Sequence, residues 1–237
     1  MLNESRYHSR IDQEEASHSR ADMEQHIRIV LANQHPIIRG SLRLLLERQP
    51  AFRVIGEAAD GREAVVLAEY RRPEIVLLDI KLPYVNGIAA AREICSNRPG
   101  LGIVFVTALT DQEYISEAFK AGARGYVLGD AAAIDLSFAI QVVAGGGAFL
   151  SPAISLKLIE DFAAKHSHEC AISEYSKQLF CLLAAGYGEH EIAVRLNSSV
   201  SRIKADYQSI SETFQRIALP EVIVDSIRGN HHFAGQR

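Results

Sequence analysis

The chain has 237 residues, of which 48% are apolar, and this is enough to form one or two packed domains. Its formal net charge is −4, and basic and acidic groups are equal in number in its two main parts: residues 27–150 carry thirteen of each, and residues 172–237 carry seven of each. This balance excludes nucleic-acid binding by bulk charge alone. No apolar run reaches the roughly 18–20 residues of a membrane span, and the three scattered cysteines lack metal-ligand spacing, so we expect a cytoplasmic protein with reduced thiols.

The first 26 residues, MLNESRYHSRIDQEEASHSRADMEQH, are polar and charged and show no apolar periodicity. They contain three arginines and six acidic residues. Such a segment cannot bury enough apolar surface to offset the entropy that is lost on folding. We therefore predict a flexible tail over residues 1–26.

From Ile27 the pattern changes to a regular alternation of apolar, strand-like runs and helix-period segments. The predicted strands are 27–32, 52–58, 74–79, 101–107 and 124–128, and the predicted helices are 37–48, 61–71, 86–97, 111–121 and 132–145. The third and fourth runs are almost continuously apolar, as expected for strands that crossover helices cover on both faces. Five such units predict an α/β domain over 27–150 with a five-stranded, doubly wound parallel sheet.

In such a sheet, chemistry lies at the carboxyl ends of the strands, near the point where the strand order reverses. Those ends carry Asn33 and Gln34, Asp79, Thr107, and the pair Gly129-Asp130. Two neutral amides at the end of an apolar strand are an unusual feature, and their meaning depends on the family that the chain resembles.

The region after the fifth helix begins with Gly145-Gly146-Gly147 and the segment FLSPAI. In this segment Ser151-Pro152 predicts a helix start, with serine as N-cap and proline at N1. We predict a linker helix within 151–171 and a small all-α domain over 172–237, whose four helices are 174–185, 188–196, 199–214 and 220–228. Ser173 is the predicted N-cap of the first of these helices, and Gly186 ends it as the C′ residue.

Five βα units, an aspartate after the third strand, a threonine after the fourth and the segment AGARGYVLGD at 121–130 together resemble a response-regulator receiver domain. The segment GGGAFLSP and the four-helix region narrow the resemblance to the NarL/FixJ family, which carries a LuxR-type helix-turn-helix. The resemblance covers about 27–152 and 172–215 without gaps. It implies two-component signalling by a DNA-binding transcription regulator, not an enzyme, that dimerises on an inverted repeat and has a histidine kinase or another regulator as a candidate partner.

The resemblance also assigns roles at the strand ends. Asp79 matches the phosphoacceptor, Lys81 the residue whose carbonyl binds the metal, Thr107 the switch hydroxyl and Tyr126 the switch aromatic. The metal-binding acids are replaced by Asn33 and Gln34, and the lysine that pairs with the phosphoryl group is replaced by Gly129. For Thr107 and Tyr126, simple packing at strand ends is the alternative interpretation.

These replacements bear on metal binding, because Mg²⁺ prefers anionic oxygen and an amide oxygen offers only a dipole. Loss of the acids together with the lysine is physically coherent, since a buried lysine without a partner is costly. We therefore expect weak or absent Mg²⁺ binding, no cofactor and no standard phosphorylation, with Asp79 retained as a hydrogen-bond or ligand anchor or by accident of descent. Normal phosphorylation of Asp79 despite the amides is the alternative.

In the C-terminal region, the third helix is the one that such folds place in the major groove. The candidate DNA contacts are Arg195, Ser199, Arg202, Lys204 and Gln208. The family pattern is eroded here: Glu189-His190 replaces the usual Asn-Lys, Ser176 a glutamate, and Asp206 a basic residue or histidine. Each acid that faces a duplex repels phosphate. Solvated charge on a helix face is the alternative interpretation of the three cations.

The last predicted helix carries an apolar stripe formed by Leu219, Val222, Ile223 and Ile227. The resemblance assigns this stripe to pairing of two copies, and packing onto its own domain is the alternative. The balanced charge of 172–237 favours a second function, a protein-interaction regulator that has lost specific DNA binding and acts by docking to a partner. An enzyme or flavin carrier is disfavoured, because the loop after the first strand lacks a phosphate-binding amide cradle and no nucleophile–base pair is visible.

Overall fold

The computed structural model describes residues 26–129, 133–165 and 173–206, and for 159–165 it describes the backbone alone. Five predictions fall wholly or partly outside these residues: the tail, apart from its last residue, the strand end at Asp130, the third C-terminal helix beyond residue 206, the fourth C-terminal helix with its apolar stripe, and the DNA contact of Gln208. The domain boundaries at 150/151 and 171/172 also stay predictions.

Strands and helices alternate along the described chain. The strands are β1 (Ile27–Ala32), β2 (Phe52–Ala58), β3 (Ile75–Leu78), β4 (Gly102–Thr107), β5 (Gly125–Leu128) and β6 (Phe149–Leu150). The helices are α1 (Pro36–Glu47), α2 (Gly61–Arg71), α3 (Gly87–Asn97), α4 (Gln112–Lys120), α5 (Ala133–Ala144), α6 (Pro152–Lys165), α7 (Glu174–Ala184) and α8 (Glu189–Arg195). A further helix, α9, is described over 200–206. The predicted elements within the described residues are present, with bounds that agree to about one residue.

The strands form one parallel sheet in the order β2-β1-β3-β4-β5-β6. This confirms the α/β fold with a doubly wound parallel sheet. The sheet has six strands, however, and not the predicted five. The additional strand, β6, pairs with β5 through Gly125 opposite Phe149 and Tyr126 opposite Leu150. A strand of two residues is too short to give a periodic pattern, so sequence reasoning missed it.

Helices cover the sheet on both faces, and the burial of β3 follows from this. All four of its side chains, Ile75–Leu78, are fully buried. One apolar cluster joins the sheet to α1 and α5, and the other joins it to α2, α3 and α4. Because neighbouring side chains of a strand point to opposite faces, a strand buried on both faces has no polar position, as the sequence predicted.

The C-terminal helices α7, α8 and α9 pack through a small apolar core. Its buried members are Leu179, Leu183, Ile192, Ala193 and Ile203. The predicted helix ends are confirmed: the Ser173 side chain accepts a hydrogen bond from the backbone N–H of Ser176, and Gly186 has a φ of +78°. Only glycine adopts this left-handed conformation without strain, and it lets the chain turn sharply into α8.

Candidate functional site

A cavity of about 410 Å³ lies at the carboxyl ends of β1, β3, β4 and β5. We call it the switch-point pocket, because the strand order reverses beside β1. Its lining residues are Asn33, Gln34, His35, Ile38, Leu42, Asp79, Lys81, Val106, Thr107, Ala108, Leu109 and Gly129. The structure therefore brings together the strand-end residues that the sequence singled out, except Asp130, which lies outside the described residues.

Asp79 is held at the pocket by its backbone and by its neighbours. Its backbone N–H donates to the Ala32 carbonyl at 3.0 Å, which extends the β1–β3 ladder. One carboxylate oxygen accepts from the Asn33 side-chain amide at 3.2 Å, and the other accepts from the backbone N–H of Lys81 at 3.3 Å. Within the described residues Asp79 forms no ion pair, and two long hydrogen bonds are the contacts that stabilise its carboxylate.

Asn33 is oriented by both ends of its amide. Its nitrogen donates to Asp79, and its oxygen accepts from the backbone N–H of His35 at 2.8 Å. The residue is only 4% exposed. The reverse orientation would place the amide oxygen against a carboxylate oxygen and a nitrogen against a backbone donor, so the contacts fix it. The Asn33 amide thus directs its N–H donor, and not its oxygen, toward Asp79, whereas binding of a metal ion there would require an oxygen.

The donor set of the pocket fits Mg²⁺ poorly. Mg²⁺ demands a near-octahedral shell of oxygens and is usually bound through carboxylates. Among the described lining residues, Asp79 is the one carboxylate, Asn33 offers nitrogen, and the remaining side-chain oxygens belong to Gln34 and Thr107. In addition, no group of three or more His, Cys, Asp or Glu side chains within the described residues has a metal-binding arrangement.

The loop 108–111 is bound to both predicted switch residues. The Thr107 hydroxyl accepts from the backbone N–H of Leu109 at 3.4 Å, and the Tyr126 hydroxyl donates to the Leu109 carbonyl at 2.8 Å. Tyr126 is fully buried against Phe105, with ring centroids 6.2 Å apart. Burial, with smaller contributions from Asp111 and Asp79, raises the pKa of the Tyr126 phenol above its usual range. The two residues therefore act on one loop, and the switch role itself stays a prediction.

Two residues of the site were missed by sequence reasoning. A Cβ atom on Gly87 would lie 2.1 Å from the Asp79 carbonyl oxygen, so only glycine allows α3 to begin against this loop. Lys157 of α6 donates from its ammonium to the Thr110 hydroxyl at 2.7 Å. The Asn86-Gly87 pair at a helix start was a usable signal for the first. No local signal exists for the second, whose partner is 47 residues away.

Replacing Tyr126 by Phe is expected to lower the free energy of unfolding by about 1 kcal/mol, because the Leu109 carbonyl loses its hydroxyl donor. The raised pKa of Tyr126 favours the folded state only while the phenol is protonated. The natural chain should therefore lose stability as the pH rises above the unfolded value of about 10. Urea unfolding at neutral and alkaline pH tests this: the Phe variant should lose less stability than the natural chain.

The matched control for that experiment is Tyr70→Phe, since Tyr70 is an exposed tyrosine on α2. It should leave both the stability at neutral pH and the alkaline loss unchanged. Equal alkaline losses in the natural chain and in Tyr126→Phe would contradict the role given to the buried phenol.

Replacing Lys157 by Met removes the ammonium and keeps the apolar stem. We expect a loss of less than about 1 kcal/mol in stability, together with faster hydrogen exchange at Leu109 and Thr110, since the loop loses its contact with α6. Hydrogen exchange measured residue by residue tests this. Lys120→Met is the matched control, because Lys120 is an exposed lysine that pairs with Glu117 on its own helix. Unchanged exchange in the loop would rule out the contact.

Comparison with known proteins decides the family. Residues 29–141 match the response regulator receiver domain family. YxjL of Bacillus subtilis (strain 168), a transcriptional regulatory protein of uncharacterized role, is 33% identical over 208 residues, which cover 85% of this chain and 95% of the relative. The chain belongs to the NarL/FixJ family of response regulators. It is accordingly a transcription regulator of the response-regulator type.

Two further comparisons agree with this assignment. The transcriptional regulatory protein DegU of Brevibacillus brevis is 29% identical to this response regulator over 223 residues, covering 86% of the chain and 94% of DegU. The crystal structure of a LuxR-family two-component response regulator from Aurantimonas sp. SI85-9A1 matches with a TM-score of 0.55 and 36% identity, covering 57% of this chain and 97% of that one. The predicted family and fold class are therefore confirmed.

The candidate DNA contacts that the structure describes are exposed on the helix-turn-helix of this response regulator. Ser199 caps α9, with its hydroxyl accepting from the backbone N–H of Arg202 at 3.2 Å. Arg195, Arg202 and Lys204 are all exposed. Their DNA-binding role stays a prediction, but their exposure leaves them accessible to a phosphate backbone.

Each of these three cations has a partner within the chain. The Lys204 ammonium lies 3.1 Å from the Glu189 carboxylate. The Arg202 guanidinium lies 3.6 Å from Asp206, which also accepts from the Tyr175 hydroxyl at 2.9 Å. The acids that erode the family pattern are thus the partners of the candidate DNA-binding cations.

Arg195 has an aromatic partner that also contacts the receiver. Its guanidinium lies 4.2 Å from the centroid of the Tyr187 ring. The ring of Phe138 on α5 also stacks on Tyr187, with a centroid separation of 5.1 Å. One aromatic ring therefore links a candidate DNA contact to the receiver domain.

Two further features concern the described part of the chain, its thiols and the hydropathy of its helices. Cys95 and Cys181 are free thiols, and burial raises the pKa of Cys181 to about 11, which makes it a poor nucleophile. No helix within the described residues has both the length and the hydropathy of a membrane span.

Proposed function

We propose that this response regulator binds DNA as a dimer and controls transcription without Mg²⁺-dependent phosphorylation of Asp79. The observation that carries the proposal is the orientation of Asn33, which donates to Asp79 and directs its oxygen to His35. The Asn33 amide thereby takes the place of a metal-binding carboxylate. It donates a hydrogen bond to the Asp79 carboxylate, so no cation is needed there.

Electrostatics supports the same proposal. An aspartyl phosphate carries about two negative charges where the free carboxylate carries one, and phosphoryl transfer relies on cations to neutralise the phosphoryl oxygens. Gly129 provides no cation, and Asn33 and Gln34 provide no carboxylate for a metal. Asp79 then remains as a hydrogen-bond acceptor for Asn33 and for the Lys81 backbone, and Mg²⁺ binding is weak or absent.

The DNA-binding part of the proposal rests on the exposed surface of α8 and α9. Ser199, Arg202 and Lys204 are exposed on the helix that such folds place in the major groove, and Arg195 is exposed at the end of α8. With few cations, affinity comes from a small number of phosphate contacts, so a dimer that binds an inverted repeat is needed for tight binding.

A homodimer is favoured by apolar surface on the receiver as well as by the stripe of Leu219, Val222, Ile223 and Ile227. Ile37 and Leu44 are 84% and 67% exposed and lie seven residues apart, on one side of α1. Ile134 on α5, which covers the same face of the sheet, is 74% exposed. A DNA-binding regulator of this kind acts in the cytoplasm, with a histidine kinase or another regulator as its candidate signalling partner.

The test is a binding selection in which purified protein binds random and genomic duplexes at moderate salt and the bound DNA is sequenced. We expect an enriched inverted repeat that disappears with Lys204→Ala. In parallel, mass spectrometry after treatment with acetyl phosphate and Mg²⁺ should show an unmodified chain. Stoichiometric acyl phosphate on Asp79 would overturn the phosphorylation-independent mechanism.

A second function is favoured by one observation, the pairing of Lys204, Arg202 and Arg195 within the chain. If these pairs persist beside a duplex, the protein acts by docking to a partner protein and not by binding DNA. Absence of any DNA binding even at low salt would select this second function.

A further inference from the structure

We infer that the switch-point pocket binds a small organic cation with an apolar body, such as a primary arylalkyl amine. The inference rests on the proposed independence from Mg²⁺ and phosphorylation, and it names the ligand class of the same site.

The size and lining of the pocket suit a small organic molecule. Its volume of about 410 Å³ lies in the range of ligand pockets, which is roughly 300–1,000 Å³. The apolar part of the lining consists of Ile38, Leu42, Val106 and Leu109. Ile38 is a large side chain left half exposed at this site, so a ligand body that covers it removes apolar surface from water.

The polar residues of the lining offer hydrogen-bond acceptors to a cationic group. The two oxygens of Asp79 accept one hydrogen bond each, both longer than 3.1 Å, while an ionised carboxylate has about four lone-pair sites. Thr107 and Gln34 add neutral oxygens to the lining, and Lys81 also lines the pocket but has an exposed side chain. An ammonium group, with three donors and one charge, forms charge-assisted hydrogen bonds with such a set, and these are stronger than neutral ones.

Other ligand classes fit this lining less well. An anion would face the Asp79 carboxylate, and the lining sets only Lys81 against it, whose side chain is exposed, because Gly129 takes the position of a second lysine. A hard divalent cation would find one carboxylate and an amide that presents nitrogen. A neutral apolar molecule would cover Asp79 without satisfying it, and burying an unpaired charge is costly. An amine with an apolar body can bind the Asp79 carboxylate through its ammonium group and cover the apolar lining residues with its body.

The pocket is also connected by hydrogen bonds to α6, so a bound ligand can affect that helix. Thr107 and Leu109 line it, and the loop that they begin is bound to Tyr126 and, through Thr110, to Lys157 of α6. A ligand that contacts Leu109 therefore bears on a loop that is hydrogen-bonded to the helix leading to the DNA-binding domain. In this protein the organic cation takes the place of the phosphoryl group as the input signal.

The experiment uses the full chain and three probes with the same aromatic body: 2-phenylethylamine, 2-phenylethanol and 3-phenylpropionate. Backbone amide chemical shifts of Asn33, Thr107 and Leu109 are followed during titration, together with the melting temperature. We expect the amine to shift these signals and to raise the melting temperature. The alcohol and the carboxylate should bind at least about tenfold more weakly, because the alcohol brings no positive charge to Asp79 and the carboxylate is repelled by it.

Variants test the role of the carboxylate. Asp79→Asn should weaken amine binding at least about tenfold, and Asp135→Asn on α5 should leave it unchanged. If Asp79→Asn fails to fold, the comparison of amine with alcohol in the natural chain still decides. Equal binding of the amine and the alcohol, or no shift of the pocket signals with any probe, overturns the inference.

The failure of this inference is distinguishable from failure of the proposed function. Acyl phosphate formation on the natural chain would refute the proposed function, whatever the amine does. An unphosphorylated chain that selects an inverted repeat but ignores the amine would refute the ligand class alone.

Discussion

A variant carrying Asn33→Asp, Gln34→Asp and Gly129→Lys is expected to accept a phosphoryl group on Asp79 from acetyl phosphate and Mg²⁺, whereas the natural chain is expected to stay unmodified. The three changes supply two carboxylates for a hard cation and one ammonium for the phosphoryl oxygens. Intact-mass spectrometry measures the outcome directly, since the modified chain gains the mass of one phosphoryl group.

The backbone around the pocket accommodates these changes. A Cβ atom on Gly129 would lie 3.7 Å from its nearest neighbours, the carbonyl carbon and oxygen of Thr107, which is an ordinary contact. Gly129 is not among the described residues with positive φ, so a lysine there is not strained. Gly129 is therefore dispensable for the fold, unlike Gly87, where a Cβ atom would overlap the Asp79 carbonyl.

Mg²⁺ should also stabilise the triple variant more than it stabilises the natural chain. Asn33→Asp replaces the hydrogen bond to Asp79 with the repulsion of two carboxylates, so the variant is less stable without the metal. Mg²⁺ relieves this repulsion and should raise the melting temperature in a concentration-dependent way. The natural chain should show no such dependence at the same concentrations.

The control for phosphorylation is the same triple variant with Asp79→Asn added, which should remain unmodified. Phosphorylation of the natural chain to the same extent as the triple variant would show that the amides are no obstacle. Modification of the quadruple variant would show that the phosphoryl group is on another residue, and the test would then not report on Asp79.

The gathering of the pocket residues was predictable from sequence because of the topology alone. Parallel strands bring their carboxyl ends to one edge of the sheet, so Asn33, Asp79, Thr107 and Gly129 meet whatever their side chains are. The strands and helices were predictable for a related reason: burial on one or both faces imposes a local period that a short window reveals. The strand β6 was not predicted, because a strand of two residues is too short to show a hydrophobic period.

The contacts that give the site its chemistry were not predictable in this way. The Asn33 amide is oriented by a carboxylate 46 residues away, and Lys157 meets Thr110 across 47 residues. When positions are compared one at a time, Glu189 and Asp206 are only departures from a family pattern. In the folded chain both acids are ion-pair partners of cations on α9, a relation that depends on how α8 and α9 pack.

The pair of Lys204 and Glu189 gives the second large expected effect. Lys204→Ala should weaken DNA binding about eightfold at about 0.1 M salt, because one phosphate contact changes the slope of log affinity against log salt by about 0.9. Glu189→Gln should strengthen binding by about two- to fivefold, because it frees Lys204 from an exposed ion pair and removes an acid near the phosphates. Fluorescence anisotropy with the selected duplex, titrated at several salt concentrations, measures both changes.

The double variant decides whether the two residues act through each other. If Glu189 weakens binding chiefly by holding Lys204, then Glu189→Gln should have little effect in a Lys204→Ala background. If Glu189 acts by direct repulsion of the duplex, its replacement should strengthen binding equally in both backgrounds. Lys177→Ala is the matched control, since Lys177 pairs with Glu174 at 3.6 Å on α7, outside the helix placed in the groove. Affinity that is unchanged by all of these substitutions would remove α9 from the DNA interface and favour the docking function instead.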